Sequence, residues 1–224
     1  MCHADHVNVR TSLARLVAAT ALPAALISGA PTATADGCPD VELIFARGTA
    51  EPPGMGRVGD ALFGALQPML GGRSLGAYAV NYPASYNFLN TGAGADDARG
   101  HIAWMTDQCP NTRLVLGGFS QGASAVSMLA GVQPVGDRIG SIGSAPALDP
   151  GLASNVAAVA VFGNPGARFG TPLSSNGQFA GRAIDLCSNG DPICSTRVFD
   201  RSAHNNYEAP PYPGQAAGFI AGRV

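Results

Sequence analysis

The chain is 224 residues long, 46% hydrophobic and only 12% charged, with a formal net charge of −2 at pH 7. Its basic side chains are all arginines, scattered along the chain, so there is no basic patch to track phosphates and a nucleic-acid partner is not expected. No C-x-x-C spacing suggests a zinc site.

The first element reads as a targeting segment. Arg10 and Arg15 precede the apolar stretch Leu16 to Ala30, and Ala33-Thr34-Ala35 follows. That is the order of a charged n-region, a hydrophobic h-region and an A-x-A cleavage signal. The stretch holds Pro23 and falls short of the roughly 20 residues needed to span a bilayer, which weighs against a retained anchor. The expectation is a signal peptide over residues 1–35, export, and a mature chain over 36–224 that forms one domain with a sizeable core. Cys2 leaves with the signal. Cys38, Cys109, Cys187 and Cys194 remain, with three pairings open to them in an oxidising compartment. The local pair Cys187–Cys194 closes a short segment at little entropic cost, which leaves Cys38–Cys109 as the long-range bridge.

Strand-like and helix-like segments then alternate. Val41–Phe45 is a short apolar strand ending at Arg47-Gly48-Thr49. From Val58 to Leu70, apolar residues recur at helical spacing. Ala77–Tyr82 reads as a second strand stopped by Pro83, and Asp96–Gln108 as a second helix. Leu114–Leu116 is a third strand, and the run Ser120–Ala130 is rich in helix formers. Gln133–Ser154 reads as a Gly/Pro/Ser-rich loop. Val156–Phe162 and Ala183–Leu186 are two further strands, and Gln215–Ala221 can form a closing helix. Such alternation predicts an α/β domain with a mostly parallel sheet, and "VAAVAVF" has the continuous apolar character of a strand buried on both faces.

One motif carries chemistry. Leu114–Gly122 reads "LVLGGFSQG" and contains G-x-S-x-G, which at the end of a strand and the start of a helix forms an elbow exposing a nucleophilic serine. With 30 glycines in the chain, about 0.3 accidental matches are expected from composition alone. A second match does occur, Gly72-Arg73-Ser74-Leu75-Gly76. Context separates them: Ser120 follows a strand and precedes a helix, whereas no strand leads into Ser74. A serine hydroxyl also needs a base. His101 lies inside a helix and reads as a surface helix residue. His204 lies in the polar segment "RSAHNNYEAPP", in the chain order Ser, acid, His that this architecture uses. Asp191, in a turn after the last strand, is the acid that fits best. Asp149, Asp185 and Asp200 are the alternatives. For the oxyanion, Gln121 offers the N–H after the nucleophile and Thr49 a second donor after the first strand. Loss of one such donor costs on the order of 3 kcal/mol in the barrier.

The segments "CPDVELIFARGTAEPPGMGRVGDAL", "YAVNYPAS", "CPNTRLVLGGFSQGAS", "AVAVFGNPG", "DLCSNGDPIC" and "AHNNY" together resemble the cutinase-like serine esterases, in particular their bacterial secreted branch. The resemblance runs from about Cys38 to the end. It implies a lidless α/β-hydrolase with a five-stranded parallel sheet, acting on carboxylic esters. Ser120 matches the family nucleophile, Asp191 the acid and His204 the base. Thr49 and Gln121 match the oxyanion pair, and the cysteines match the bridges Cys38–Cys109 and Cys187–Cys194. Phe119 stands where the family often has Tyr. The segment "STRVFD", Ser195–Asp200, is more polar than the apolar rim of fungal members, which argues against long-chain or polymeric cutin.

The implied chemistry is acyl transfer through an acyl-serine, with no metal or cofactor. Because His204 must be neutral to act, activity is expected to fall in mild acid. With no inserted cap segment, short- to medium-chain acyl esters or exposed lipid esters are the expected substrates. Tyr86, Phe88, Leu89, Val198 and Phe199 are candidate acyl-contacting rim residues. The runner-up is a polysaccharide O-acetyl esterase, and a third reading is a low-turnover secreted binding protein on the same fold. A monomer is expected.

Overall fold

A computed structural model describes residues 1, 37–135, 142–197 and 199–224. The expected signal peptide therefore lies almost wholly outside the described residues, as does the rim candidate Val198. Five parallel strands form the sheet: β1 (Val41–Ala46), β2 (Leu75–Ala79), β3 (Arg113–Phe119), β4 (Val156–Phe162) and β5 (Ala183–Leu186), in the spatial order β2-β1-β3-β4-β5. Six helices accompany them among the described residues: α1 (Gly56–Leu66), α2 (Thr91–Gln108), α3 (Gln121–Leu129), α4 (Pro150–Ala153), α5 (Pro165–Arg168) and α6 (Tyr212–Ala221). The expected single α/β domain is the arrangement found, within the unit Thr34–Val224.

The period of two along β1 sorts the core into two layers. Val41, Leu43 and Phe45 face one way and pack with Val58, Leu62 and Leu66 of α1 and with Ala216, Ala217 and Ile220 of α6. Ile44 and Ala46 face the other way, toward Ala95, Ala98, Ile102 and Met105 of α2 and the buried residues of α3. The central strands β1, β3 and β4 are buried on both sides, while the edge strands β2 and β5 are only partly covered. The two expected disulfides are present. Cys38–Cys109 ties the start of β1 to the end of α2, and Cys187–Cys194 closes the loop after β5.

Several boundaries shift. The third strand runs three residues past Leu116 because Gly117 and Gly118 pair in the sheet with Phe45 and Ala46 despite their poor strand propensity. The second strand starts two residues early and ends at Ala79; beyond it, Val80 and Tyr82 stay buried outside the sheet. Helix α2 begins five residues before Asp96, with Gly92 and Gly94 of this added turn at close approaches: a Cβ on Gly92 would collide with the Ser144 carbonyl. The first helix ends at Leu66, and its last four expected residues form a 3-10 turn, Gln67–Leu70. The expected loop 133–154 contains the short helix α4, and α5 had no counterpart in the sequence reading.

In this strand order the chain moves outward from β1 to β2, then crosses back to β3 on the other side of β1. The point of reversal lies between β1 and β3, and parallel sheets place their clefts outside the carboxyl ends of the strands at such a point. Gly48–Thr49 follows β1 there, and Ser120 follows β3.

Candidate active site

Ser120 sits on a backbone corner at φ 54, ψ −111, a region that side-chain-bearing residues rarely adopt. Such strain costs on the order of 1–3 kcal/mol and persists only where the surroundings enforce it. Here the flanking glycines do so. A Cβ on Gly118 would press on the Gly122 backbone, and one on Gly122 would overlap the Ala46 carbonyl. The Ser120 N–H is held by the Phe162 carbonyl at 2.9 Å. The second G-x-S-x-G match has a different use. Ser74 exchanges hydrogen bonds with Asp40, whose Oδ2 accepts its N–H at 2.7 Å and its hydroxyl at 2.8 Å, at the opposite end of the sheet.

From Ser120 a chain of contacts runs inward. His204 Nε2 lies 2.9 Å from Ser120 Oγ, and His204 Nδ1 lies 2.8 Å from Asp191 Oδ2. His204 stands on a 3-10 turn, Arg201–Asn205, whose first N–H groups are capped by Asp200. Asp191 is fully buried. It accepts from Tyr207 Oη at 2.6 Å on Oδ2 and from the Ile193 N–H at 2.8 Å on Oδ1. Burial on its own pushes this carboxyl up; the bonds from His204, Tyr207 and Ile193 outweigh that and hold it below the usual carboxylate range. Ionised, Asp191 can only accept, so Nδ1 carries the proton and Nε2 is free to accept one. A hydroxyl, an imidazole and a carboxylate in this series can activate an oxygen nucleophile.

The other aspartates have structural partners. Asp185 accepts from Asn164 Nδ2 and the Ser174 N–H, Asp149 caps α4, and Asp200 caps the turn carrying His204. His101 is not the surface residue expected. Its ring is mostly buried, 2.8 Å from Glu42 and stacked 3.5 Å from Tyr78, because α2 lays this face against β1 and β2.

Gln121 is the first residue of α3, where N–H groups have no intrahelical partner. Thr49 faces it, with the Thr49 hydroxyl 3.1 Å from Gln121 Oε1, and Gln121 Nε2 donates in turn to Thr91. The Thr49 loop is anchored by Arg47, a buried guanidinium that donates to the carbonyls of Glu51, Val80 and Tyr82, while Tyr82 Oη returns a bond to the Arg47 carbonyl at 2.6 Å. Ser120, Gln121 and Thr49 open onto a cleft of about 330 Å³ whose walls include Phe88, Pro165, Arg168, Phe169 and Ile193.

Among the rim candidates, Phe88 lines this cleft. Tyr86 and Leu89 do not; they stay exposed, with Tyr86 edge-on to Phe88. Phe199 lies under the Arg168 guanidinium at 5.0 Å rather than in the wall. The sequence reading missed Tyr207, Arg47 and the wall residues Pro165, Phe169 and Ile193. Tyr207, three residues after His204, carried a signal: a Tyr that close to the base on a short turn can reach the same carboxylate.

Residues 37–224 match the Cutinase family. The chain belongs to the cutinase family. Membership makes it a serine carboxylic ester hydrolase. It is 50% identical over 196 residues to the probable carboxylesterase Culp3 of Mycobacterium tuberculosis, covering 87% of this chain and 72% of that protein. It is 45% identical over 216 residues to the phospholipase Culp4 of the same organism, covering 95% and 92%. Among solved structures, the catalytic core of acetyl xylan esterase from Trichoderma reesei superposes with a TM-score of 0.69 at 25% identity, covering 84% of this chain and 100% of that one. The lidless α/β-hydrolase architecture is thus shared across the cutinase family and this neighbour.

Proposed function

We propose that this cutinase-family protein is an exported carboxylesterase that hydrolyses short- to medium-chain acyl esters or lipid esters, with Ser120 as nucleophile, His204 as base and Asp191 as acid. The observation that carries the proposal is the series Ser120 Oγ, His204 and Asp191, joined at 2.9 and 2.8 Å at the mouth of an apolar cleft.

In this reading His204 Nε2 takes the Ser120 proton as Oγ attacks the ester carbonyl. Asp191 holds the ring in the reactive tautomer and stabilises the imidazolium. The N–H groups of Gln121 and Thr49 receive the oxyanion. The imidazolium then protonates the leaving alcohol, which departs and leaves an acyl-serine. Water, deprotonated by His204, releases the acid and restores Ser120.

Support for acyl or lipid esters comes from the apolar cleft wall and from the relative named a phospholipase. Among the described residues the cleft is open to solvent, which suits entry of an ester. The acetyl xylan esterase neighbour favours a second reading, removal of acetyl groups from a polysaccharide. A series of soluble nitrophenyl esters separates them: turnover extending to butyrate and longer acyl groups supports the first, and turnover confined to acetate supports the second. Labelling with an organophosphonate tests the site itself. Label on Ser120, absent in Ser120→Ala, is expected. A folded wild-type chain that takes up no label leaves only a binding role. Export rests on the composition of residues 1–35 and on the two disulfides, and the amino-terminal sequence of the secreted form checks it. The proposed monomer is checked by the solution mass.

A further inference from the structure

Two parts of the site come from distant stretches of chain: Gly48–Thr49 after β1, and His204–Asn205 ahead of α6. Both meet one side-chain pair. Glu51 Oε2 accepts the Gly48 N–H at 2.6 Å, and Oε1 accepts the Arg57 N–H at 3.2 Å and lies 3.3 Å from Arg57 Nε. The guanidinium then reaches across. Arg57 Nη1 donates to the Asn205 carbonyl at 2.9 Å and to Glu208 Oε2 at 2.5 Å, and Nη2 lies 3.3 Å from Asn205 Oδ1. The Phe119 ring sits 5.1 Å from this guanidinium, and the same ring is 4.9 Å from that of His204. Neither Glu51 nor Arg57 lines the cleft.

We propose that Glu51 and Arg57 are positioning residues that act as one brace, holding the oxyanion-donor loop and the base-bearing turn at a fixed separation. The two ends need that separation because negative charge grows at the donors while the imidazole gains a proton, and a small displacement of either raises the barrier. An arginine suits this role because its planar fork bonds two groups in different directions at once, which a lysine ammonium on a flexible stem does poorly. The contact with Glu208 is partly exposed and contributes little by itself. The bond to the Asn205 carbonyl matters more, because it fixes backbone one residue from His204.

The inference rests on the acyl-transfer roles proposed above. Arg57→Gln, Glu51→Gln and the double variant, each in the full chain, are assayed on p-nitrophenyl butyrate with active sites titrated by an organophosphonate. In each single variant, kcat per titrated site is expected to fall about 10-fold with KM within about two-fold of wild type. The double variant is expected to be no slower than the slower single, as for two ends of one device. Unchanged kcat per titrated site in Arg57→Gln, or losses that multiply in the double variant, would overturn the brace. If Arg57→Gln yields no titratable site, Arg57→Lys, which keeps the charge and loses the fork, reads the same quantity, and full wild-type kcat there overturns it equally. Wild-type protein that takes no label would remove the parent reading instead, so the two failures are distinguishable.

Discussion

The molecule contains two histidine–carboxylate pairs of the same length. His204 Nδ1 is 2.8 Å from Asp191, and His101 Nε2 is 2.8 Å from Glu42. Burial differs little: side-chain exposures are 20% and 0% for the first pair and 12% and 9% for the second. What separates them is everything beyond the pair. The second nitrogen of His204 meets Ser120 Oγ, and its partner carboxylate is fixed by Tyr207 and Ile193 as well. The His101 ring is stacked between Tyr78 and Trp104, and its other nitrogen meets no hydrogen-bond partner among the described residues. One pair stands at the carboxyl ends of the strands beside a cleft, the other braces α2 against β1. A short contact between imidazole and carboxylate is therefore not enough to make a relay. The third group, and the space in front of it, decide.

The sharpest way to break this comparison is to neutralise each carboxylate. Asp191→Asn is expected to lower kcat by on the order of 10⁴, because the amide favours the wrong imidazole tautomer. Glu42→Gln is expected to leave kcat within about two-fold. Steady-state kinetics on a soluble ester measures both; equal losses would erase the distinction. A methyl group beside each ring gives the next contrast. A Cβ on Gly163 would lie 2.9 Å from His204 Cε1 and 3.1 Å from Asp191 Oδ2, at a backbone φ of 56 that also disfavours it. Gly163→Ala is expected to reduce kcat about 10²-fold by displacing His204, the proposed base. Gly100, next to His101 on α2, faces open space. There the same change is expected to keep activity and add about 0.5–1 kcal/mol of stability, read as a higher Tm.

Two stability measurements sharpen the contrast further. His101→Ala leaves the mostly buried Glu42 without its partner and is expected to cost about 2 kcal/mol in denaturant unfolding, with kcat intact. The smallest effect is electrostatic. The Asp191 carboxyl is held below its ordinary 3.8 in the folded chain. The unfolded chain therefore takes up this proton first as pH drops. The resulting stabilisation is fully present above pH 3.8 and is lost as pH falls through the lower folded value. Asp191→Asn is expected to lose Tm less steeply than wild type over that acid window. Some slope persists, since Asp40 and Asp200 are also held low, by Ser74 and Ser202 respectively.

Much of this was legible in the order of residues. The alternation of apolar runs is a direct record of strands buried on two faces, and it yielded all five strands in sequence. The elbow at Ser120 was legible because its two glycines and flanking elements answer a steric demand. The boundaries were less so, for the same reason in reverse. Gly92 in α2 and Gly117 in β3 are poor formers of their elements, yet each lies where a neighbour leaves no room for a side chain, and that neighbour is invisible along the chain. The cleft wall was the least legible part. Phe88 was anticipated, but Pro165 and Phe169, at the two ends of α5, and Ile193, in the loop after β5, reach it from segments whose course depends on the finished sheet. The pairing of His101 with Glu42 likewise depends on how α2 lies over β1, which no local pattern encodes.

The strand order has a further consequence. Ser120 follows β3, Asp191 follows β5, and His204 comes later still, so no hairpin, half-sheet or early intermediate contains the complete set. On the proposed acyl-transfer roles, turnover in this molecule is an all-or-nothing reporter of the finished architecture: loss of catalytic rate on heating or in denaturant should track disassembly of the whole sheet, not fraying at one edge.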